Sequence, residues 1–185
     1  MKLSPQQITG FAASFGAAGL AVAALTVSIV ETRIMREEQH MSVWPRLMAA
    51  TSRNRGGFQV VVQNKGLGPA QVRTVVVGTP AGVFQEWSGA FESLLGHPSN
   101  NFYFSTIGGA VLMPGEVMEA VTVERGALAD SLSIASEALR VDICYCSAYE
   151  DCWWLRDAQI GAARSFQTVS AAETCSVPES EQFRM

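Results

Sequence analysis

The chain has 185 residues, 48% of them apolar and only 16% charged, with a formal net charge of −4 and a mean hydropathy of +0.17. The apolar excess is concentrated in residues 8–30. From residue 42 onward 10 Lys/Arg stand against 14 Asp/Glu, an acidic balance that argues against phosphate-backbone (nucleic-acid) binding, which needs a basic face. Sixteen Gly and seven Pro are too few for a disordered or collagenous chain, and the length allows one compact domain, or one small domain plus an anchor.

Residues 1–7 are a short flank carrying Lys2. Residues 8–30 (ITGFAASFGAAGLAVAALTVSIV) hold 23 uncharged residues in a row. About 20 suffice to cross a bilayer core as a helix, so a transmembrane helix is predicted here. A cleaved signal peptide is the competing reading, since Ala21-Val22-Ala23 suits a signal peptidase. The apolar run nevertheless continues to Val30, and the n-region has a single Lys. Ala12/Gly16 and Gly19/Ala23 stand four apart, the spacing that lets helix backbones approach, so self-association or packing on another membrane helix is one reading of this face. A generic Ala-rich span is the other. Residues 31–41 (ETRIMREEQHM) lack Gly and Pro and extend the helix as a stalk; His40 belongs to that solvated stalk.

From residue 42 to 170 the texture changes to short β-type runs split by turn residues. The first, 43–50, has Pro45 near its start, which suits an edge strand. In 58–64, Phe58, Val60 and Val62 alternate with Gln59 and Gln63. Runs follow at 71–77 and 117–123. In 139–145, Leu139, Val141, Ile143 and Tyr145 share one face, and 152–155 returns after a five-residue turn. A last strand is expected over 165–169, and helical connections over 85–95 and 127–139. About seven short strands with regular turns predict a mainly β fold, an antiparallel β-sandwich of immunoglobulin-like type. Residues 171–185 read as a loose C-terminal tail.

Between two of these strands lies Asn64-Lys-Gly-Leu-Gly-Pro-Ala70, where Gly66 and Gly68 are free to take positive φ and Pro69 sets the direction of the next strand. This stretch resembles the N-x-G-x-G-P-A turn of bacterial immunoglobulin-like adhesion-type modules. Ser42-Val-Trp-Pro45, Pro114-Gly-Glu116 and Cys144-Tyr-Cys-Ser147 extend the likeness. The chain resembles a group of bacterial single-pass membrane-anchored proteins with an immunoglobulin-like β-sandwich domain. That group has no settled activity, so the resemblance implies fold and anchorage alone.

The four cysteines are the sharpest feature. Cys144 and Cys146 share the strand face opposite Val141 and Ile143, and Cys152 opens the next strand. A regular hairpin sets Cys146 opposite Cys152, with Cβ atoms ~4.5–5.5 Å apart, within a modest shift of a disulfide. Cys144 is then available to pair with Cys175 in the tail, although an even count of four leaves the connectivity open. Two alternatives stay open: free thiols in a reducing compartment, or a metal site on Cys144, Cys146, Cys152 and Cys175, although the paired C-x2-C spacing of zinc sites is missing. Topology is bound to this question. Lys2 on one side and Arg33 and Arg36 on the other tilt the domain towards the cytoplasm. A disulfide-stapled hairpin requires the periplasm, and the expectation is a bacterial inner-membrane anchor with a periplasmic domain.

Catalytic patterns are weak. His97 with Ser99 or Ser105 has no supporting elbow motif. Nucleotide-binding glycine motifs are absent from the sequence, and no cofactor is expected. Glu150, Asp151 and Asp157 offer carboxylates near a hairpin tip without the oxygen ladder of a calcium loop. Trp153 and Trp154, adjacent on a strand, must face opposite ways. Trp87 and Phe91 read as core. Trp154, Tyr103 and Trp44 are the candidates for contact with a partner. The expected function is a non-enzymatic, membrane-anchored protein-interaction module serving a membrane or envelope complex, with a metal-binding or thiol-redox module as the alternative.

Overall fold

The computed structural model describes residues 5–54, 57–156 and 167–184, without side chains at 5–18, 39–42 and 54. It divides into two units, residues 1–42 and 43–185. The first is a single helix, α1 (Pro5–Ser42), in which the expected span and stalk run on without a break. Pro5 opens it, where a missing N–H costs nothing. Thr26 and Thr32 turn their hydroxyls back onto the carbonyls of Ala23 and Ser28, satisfying them within the helix. Among the described residues no helix is long and apolar enough to cross a membrane. The side chains of residues 8–18, the first part of the expected span and including Ala12 and Gly16, lie outside those described.

The second unit is mainly β, with two antiparallel sheets facing each other. One has the order β1 (Leu47–Asn54), β2 (Gly57–Asn64), β7 (Val117–Glu124), β5 (Tyr103–Phe104). The other runs β10 (Thr168–Ala172), β9 (Cys152–Arg156), β8 (Arg140–Cys146), β3 (Ala70–Thr79), β4 (Gly82–Phe84), with β6 (Val111–Leu112) also on β3. Helices α2 (Trp87–Leu95) and α3 (Ala127–Ala135) connect them, and a 3-10 turn, Ser136–Ala138, follows α3. The period-2 readings hold: Phe58, Val60 and Val62 from β2 and Leu139, Val141, Ile143 and Tyr145 around β8 are buried in one core. In α2, Trp87, Ala90 and Phe91 are buried at helical spacing.

Several boundaries differ from expectation. The first strand starts at Leu47, because Pro45 lies in the connection before it rather than within it. Strands β4, β5 and β6 are two or three residues long, too short to leave a periodic signal. The last strand begins at Thr168; residues 165–166 of that expectation lie outside the described residues.

Two bulges change which residues face inward. On β7, Val60 pairs with Val121 and Val61 with Glu119, leaving Ala120 as the extra residue. On β3, Val72 pairs with Tyr145 and Thr74 with Cys144, leaving Arg73 extra. An inserted residue shifts the side-chain phase by one. Ala70 and Val72 therefore point to the core before the bulge, and Val75 and Val77 after it. Val76 turns to the outer face instead, beside Cys144 and Trp154.

The segment expected to be a loose tail is fastened across that outer face. Ala172 pairs with Cys152, Trp154 Nε1 donates to the Thr174 carbonyl at 3.2 Å, and Thr74 Oγ1 donates to the Cys175 carbonyl. Gln85 Nε2 donates to the Glu179 carbonyl at 2.8 Å. At the end, Phe183 is buried 4.9 Å from Trp87, and its N–H donates to Val75 O at 2.9 Å. That bond lies on the edge of β3 between the stretches held by β6 and β4. Sequence patterning misses this because one Phe in a polar stretch has no period.

Candidate functional site

Two regions of the domain carry features beyond core packing. The first is the sulfur cluster on the outer face of β8 and β9. Cys146 and Cys152 are opposed across the hairpin, with Cα atoms 4.0 Å apart, and form a disulfide. Cys144 and Cys175, 31 positions apart, form the second. Among the described residues no cysteine is free. The hairpin loop that brings the first pair together is tight. Ser147 N–H donates to Asp151 O at 2.8 Å, the buried Ser147 hydroxyl accepts from Tyr149 N–H, and Glu150 adopts a left-handed φ of 64°. Arg73 Nη2 donates to both carboxylate oxygens of Glu150, at 2.8 and 3.0 Å. The β3 bulge is thus what aims Arg73 at the hairpin tip, and Glu150 serves that contact. Asp157, the third carboxylate considered for a cation, lies outside the described residues.

The two disulfides are neighbours. The Sγ atoms of Cys146 and Cys175, which belong to different bridges, are 4.0 Å apart, and those of Cys146, Cys152 and Cys175 all lie within 4.8 Å of one another. Cys144 and Cys146 are buried, while Cys152 and Cys175 are half-buried. In this state every sulfur is committed to a disulfide, which leaves no thiolate to hold the metal ion that the four-cysteine alternative requires.

The second region is the β5 edge of the other sheet. Tyr103 pairs with Thr122 and Phe104 with Val121, and Ser105 N–H donates to Ala120 O at 3.1 Å. Antiparallel pairs alternate between bonded and non-bonded. With Ser105 bonded inward, Phe104 is a non-bonded pair, and its N–H and C=O point away from the sheet. Tyr103 is 66% exposed and Phe104 47%. A depression of about 280 Å³ beside them is lined by Tyr103, Phe104, Ser105, Glu119 and Thr122. The opposite edge of the same sheet is treated differently. On β1, Ala49 gives its N–H to the Gln167 side-chain amide and accepts from it through its carbonyl, so one glutamine imitates a ladder step.

The remaining candidates are spread out. Trp154 is only 7% exposed, covered by Thr174, Cys175 and Val177, with the Arg156 guanidinium 4.7 Å from its ring centroid. Its assignment as a partner contact is corrected: the tail takes the place a partner would have taken. Trp44 is 45% exposed and lies 6.4 Å from Trp153, which packs with Tyr145. His97 is exposed with Nδ1 3.4 Å from the Pro98 carbonyl oxygen. Ser99 and Ser105 make no bond to it among the described residues. Gly19 has open space where a Cβ would sit, and Ala23 is exposed on α1.

The glycine turn also works differently from expectation. Gly66 and Gly68 are not in the positive-φ region. A Cβ on Gly68 would meet Val43 O at 1.9 Å, and one on Gly66 would meet Arg46 N at 2.3 Å. They are glycines because backbone 43–46 passes directly over them. Asn64, fully buried, ties this end together. Its amide donates to Gly68 O and Leu112 O and accepts from Arg46 N–H and Gly66 N–H, so all its side-chain capacity is used.

Neither a known protein family nor any curated protein matches the chain.

Proposed function

We propose that the protein is a membrane-anchored, non-enzymatic interaction module of a bacterial envelope. Residues 8–30 hold it in the inner membrane, and an immunoglobulin-like sandwich is displayed on the periplasmic side. There it takes an extended segment of another envelope protein as an added strand on β5. The observation that carries this reading is the open edge at Phe104, with outward N–H and C=O flanked by two exposed aromatic rings. Strand addition supplies main-chain hydrogen bonds for affinity and side-chain seats for specificity. The seat beside Tyr103 contains the Glu119 carboxylate, which favours a basic side chain on one face of the incoming strand. Phe104 favours an apolar one on the other. Anchorage is supported by the 23 uncharged residues of the sequence. The paired disulfides support an oxidising compartment. The small-residue face of Ala12, Gly16, Gly19 and Ala23 supports self-association within the bilayer.

The test uses a photo-reactive phenylalanine analogue at position 103 of the full chain in intact membranes. The expected result is a discrete cross-link that disappears in Phe104→Pro, which removes the outward N–H without touching the β5–β7 bonds. The same probe at Ile134, 78% exposed on α3, gives none. Equal cross-linking from both positions, or none from 103, overturns the edge reading. A membrane-impermeant maleimide tests topology on the same cells. Labelling from outside only after reduction supports a periplasmic domain, whereas free labelling confined to lysate refutes it.

A further inference from the structure

The geometry points to a second activity that goes beyond partner binding: the two disulfides form an exchange pair, through which a dithiol reductant acting at the hairpin tip transfers reduction to buried Cys144. Each bridge joins one half-buried to one buried sulfur, Cys152 to Cys146 and Cys175 to Cys144. The contact between the bridges, 4.0 Å from Cys146 Sγ to Cys175 Sγ, connects the buried end of the first to the more accessible end of the second. That is the order a relay needs.

The steps balance as follows. A thiolate of an external dithiol attacks Cys152, the accessible sulfur of the hairpin bridge. The Cys152–Cys146 bond breaks, a mixed disulfide forms on Cys152, and Cys146 leaves as a thiolate. Cys146 then attacks Cys175; the Cys146–Cys175 bond forms, the Cys175–Cys144 bond breaks, and Cys144 leaves with the electron pair and takes a proton. The second thiol of the reductant resolves the mixed disulfide on Cys152. The dithiol has become a disulfide, and the protein holds thiols at Cys144 and Cys152 with one bridge between Cys146 and Cys175. Exchange through a thiolate and a mixed disulfide is the ordinary route for such chemistry. Cys175 sits between β10 and the buried Phe183, outside any regular element, with its carbonyl held by Thr74 Oγ1 and its sulfur already at the contact distance from Cys146. The consequence is specific. The C-terminal segment stays tied to β8 throughout, moving its attachment by two residues along the strand instead of coming free.

The experiment treats the oxidised full chain in detergent with one equivalent of dithiothreitol, then quenches with acid, alkylates under denaturing conditions and maps bridges by tandem mass spectrometry. The expected products are alkylated Cys144 and Cys152 with a Cys146–Cys175 linked peptide. Alkylated Cys146 and Cys152 with Cys144–Cys175 intact would overturn the relay. Cys152→Ser gives an independent reading without reductant. Its single thiol is expected to be shared between Cys146 and Cys144, with a Cys146–Cys175 peptide present. Alkylation of Cys146 alone would overturn it. The near-ultraviolet circular dichroism of the tryptophans reports whether that variant keeps its fold, and the wild-type mapping decides the question if it does not.

Discussion

The outer face of β8 and β9 and the free edge at β5 are opposite treatments of the same problem, exposed sheet. On the first, the C-terminal segment lies over Val76, Cys144 and Trp154, held by a disulfide, by the bond to Thr74 and by Phe183 at its end. On the second, a two-residue strand leaves Phe104's backbone groups outward and Tyr103 exposed. Open edges invite pairing and are usually blunted. Among the described residues, one edge of that sheet is capped at Ala49 by Gln167, and the backbone of Phe104 on the other edge has no such cap. Under the proposed function, the contrast separates surface fastened for stability from surface left for a partner.

The largest effect in breaking this contrast is expected from the paired change Cys144→Ala/Cys175→Ala. Releasing a 31-residue link lowers stability by about 4 kcal/mol on the chain-entropy estimate, measurable by denaturant unfolding of the oxidised chain in detergent. Next comes Phe183→Ala, which empties a buried aromatic site against Trp87 at a cost of about 3 kcal/mol. Hydrogen exchange at the residue-183 amide, which donates to the Val75 carbonyl, should rise with it. Cys146→Ala/Cys152→Ala opens a loop of only six positions, and its loss is about 2 kcal/mol by the same estimate. If this short bridge proves worth more than the long one, the tail is not the principal fastening of that face.

A smaller effect is confined to alkaline pH. Burial raises the Tyr145 phenol above its ordinary pKa of 10.0, against weaker opposing pulls from the Leu47 backbone and the Arg46 charge. The unfolded chain therefore ionises first. Tyr145's contribution is complete below pH 10 and is lost as pH climbs from there through the raised folded value. Tyr145→Phe should flatten that alkaline fall in a denaturation series. The smallest effect belongs to the open edge: Tyr103→Ser should change stability by less than about 0.5 kcal/mol while abolishing the cross-link formed when the same photo-reactive probe is moved to position 104. A large loss of stability would mean that Tyr103 belongs to the fold rather than to a partner surface.

How much was legible beforehand follows from what each feature depends on. The long strands are readable because a half-buried strand imposes period 2 on neighbouring residues, as in 58–62 and 139–145. The cysteine pairing was readable only as one of three arrangements. Opposition across a five-residue loop is local, but whether Cys175 reaches Cys144 depends on where a distant segment lies. Trp153 and Trp154 were correctly opposed, since adjacent strand residues must be. Which of them stayed available was not readable, because the residues covering Trp154 are twenty positions away.

By itself, then, the sequence determined the uncharged N-terminal run, the alternating strands and the hairpin that opposes Cys146 to Cys152. All of these arise from interactions between residues close in the chain. The tertiary structure alone decided that the bulge at Arg73 turns Val76 outward, that Phe183 seals the edge of β3, that Gly66 and Gly68 make room for backbone 43–46, and that two bridges meet at 4.0 Å. Each of these depends on segments far apart in the chain arriving at one place, and no local period records that.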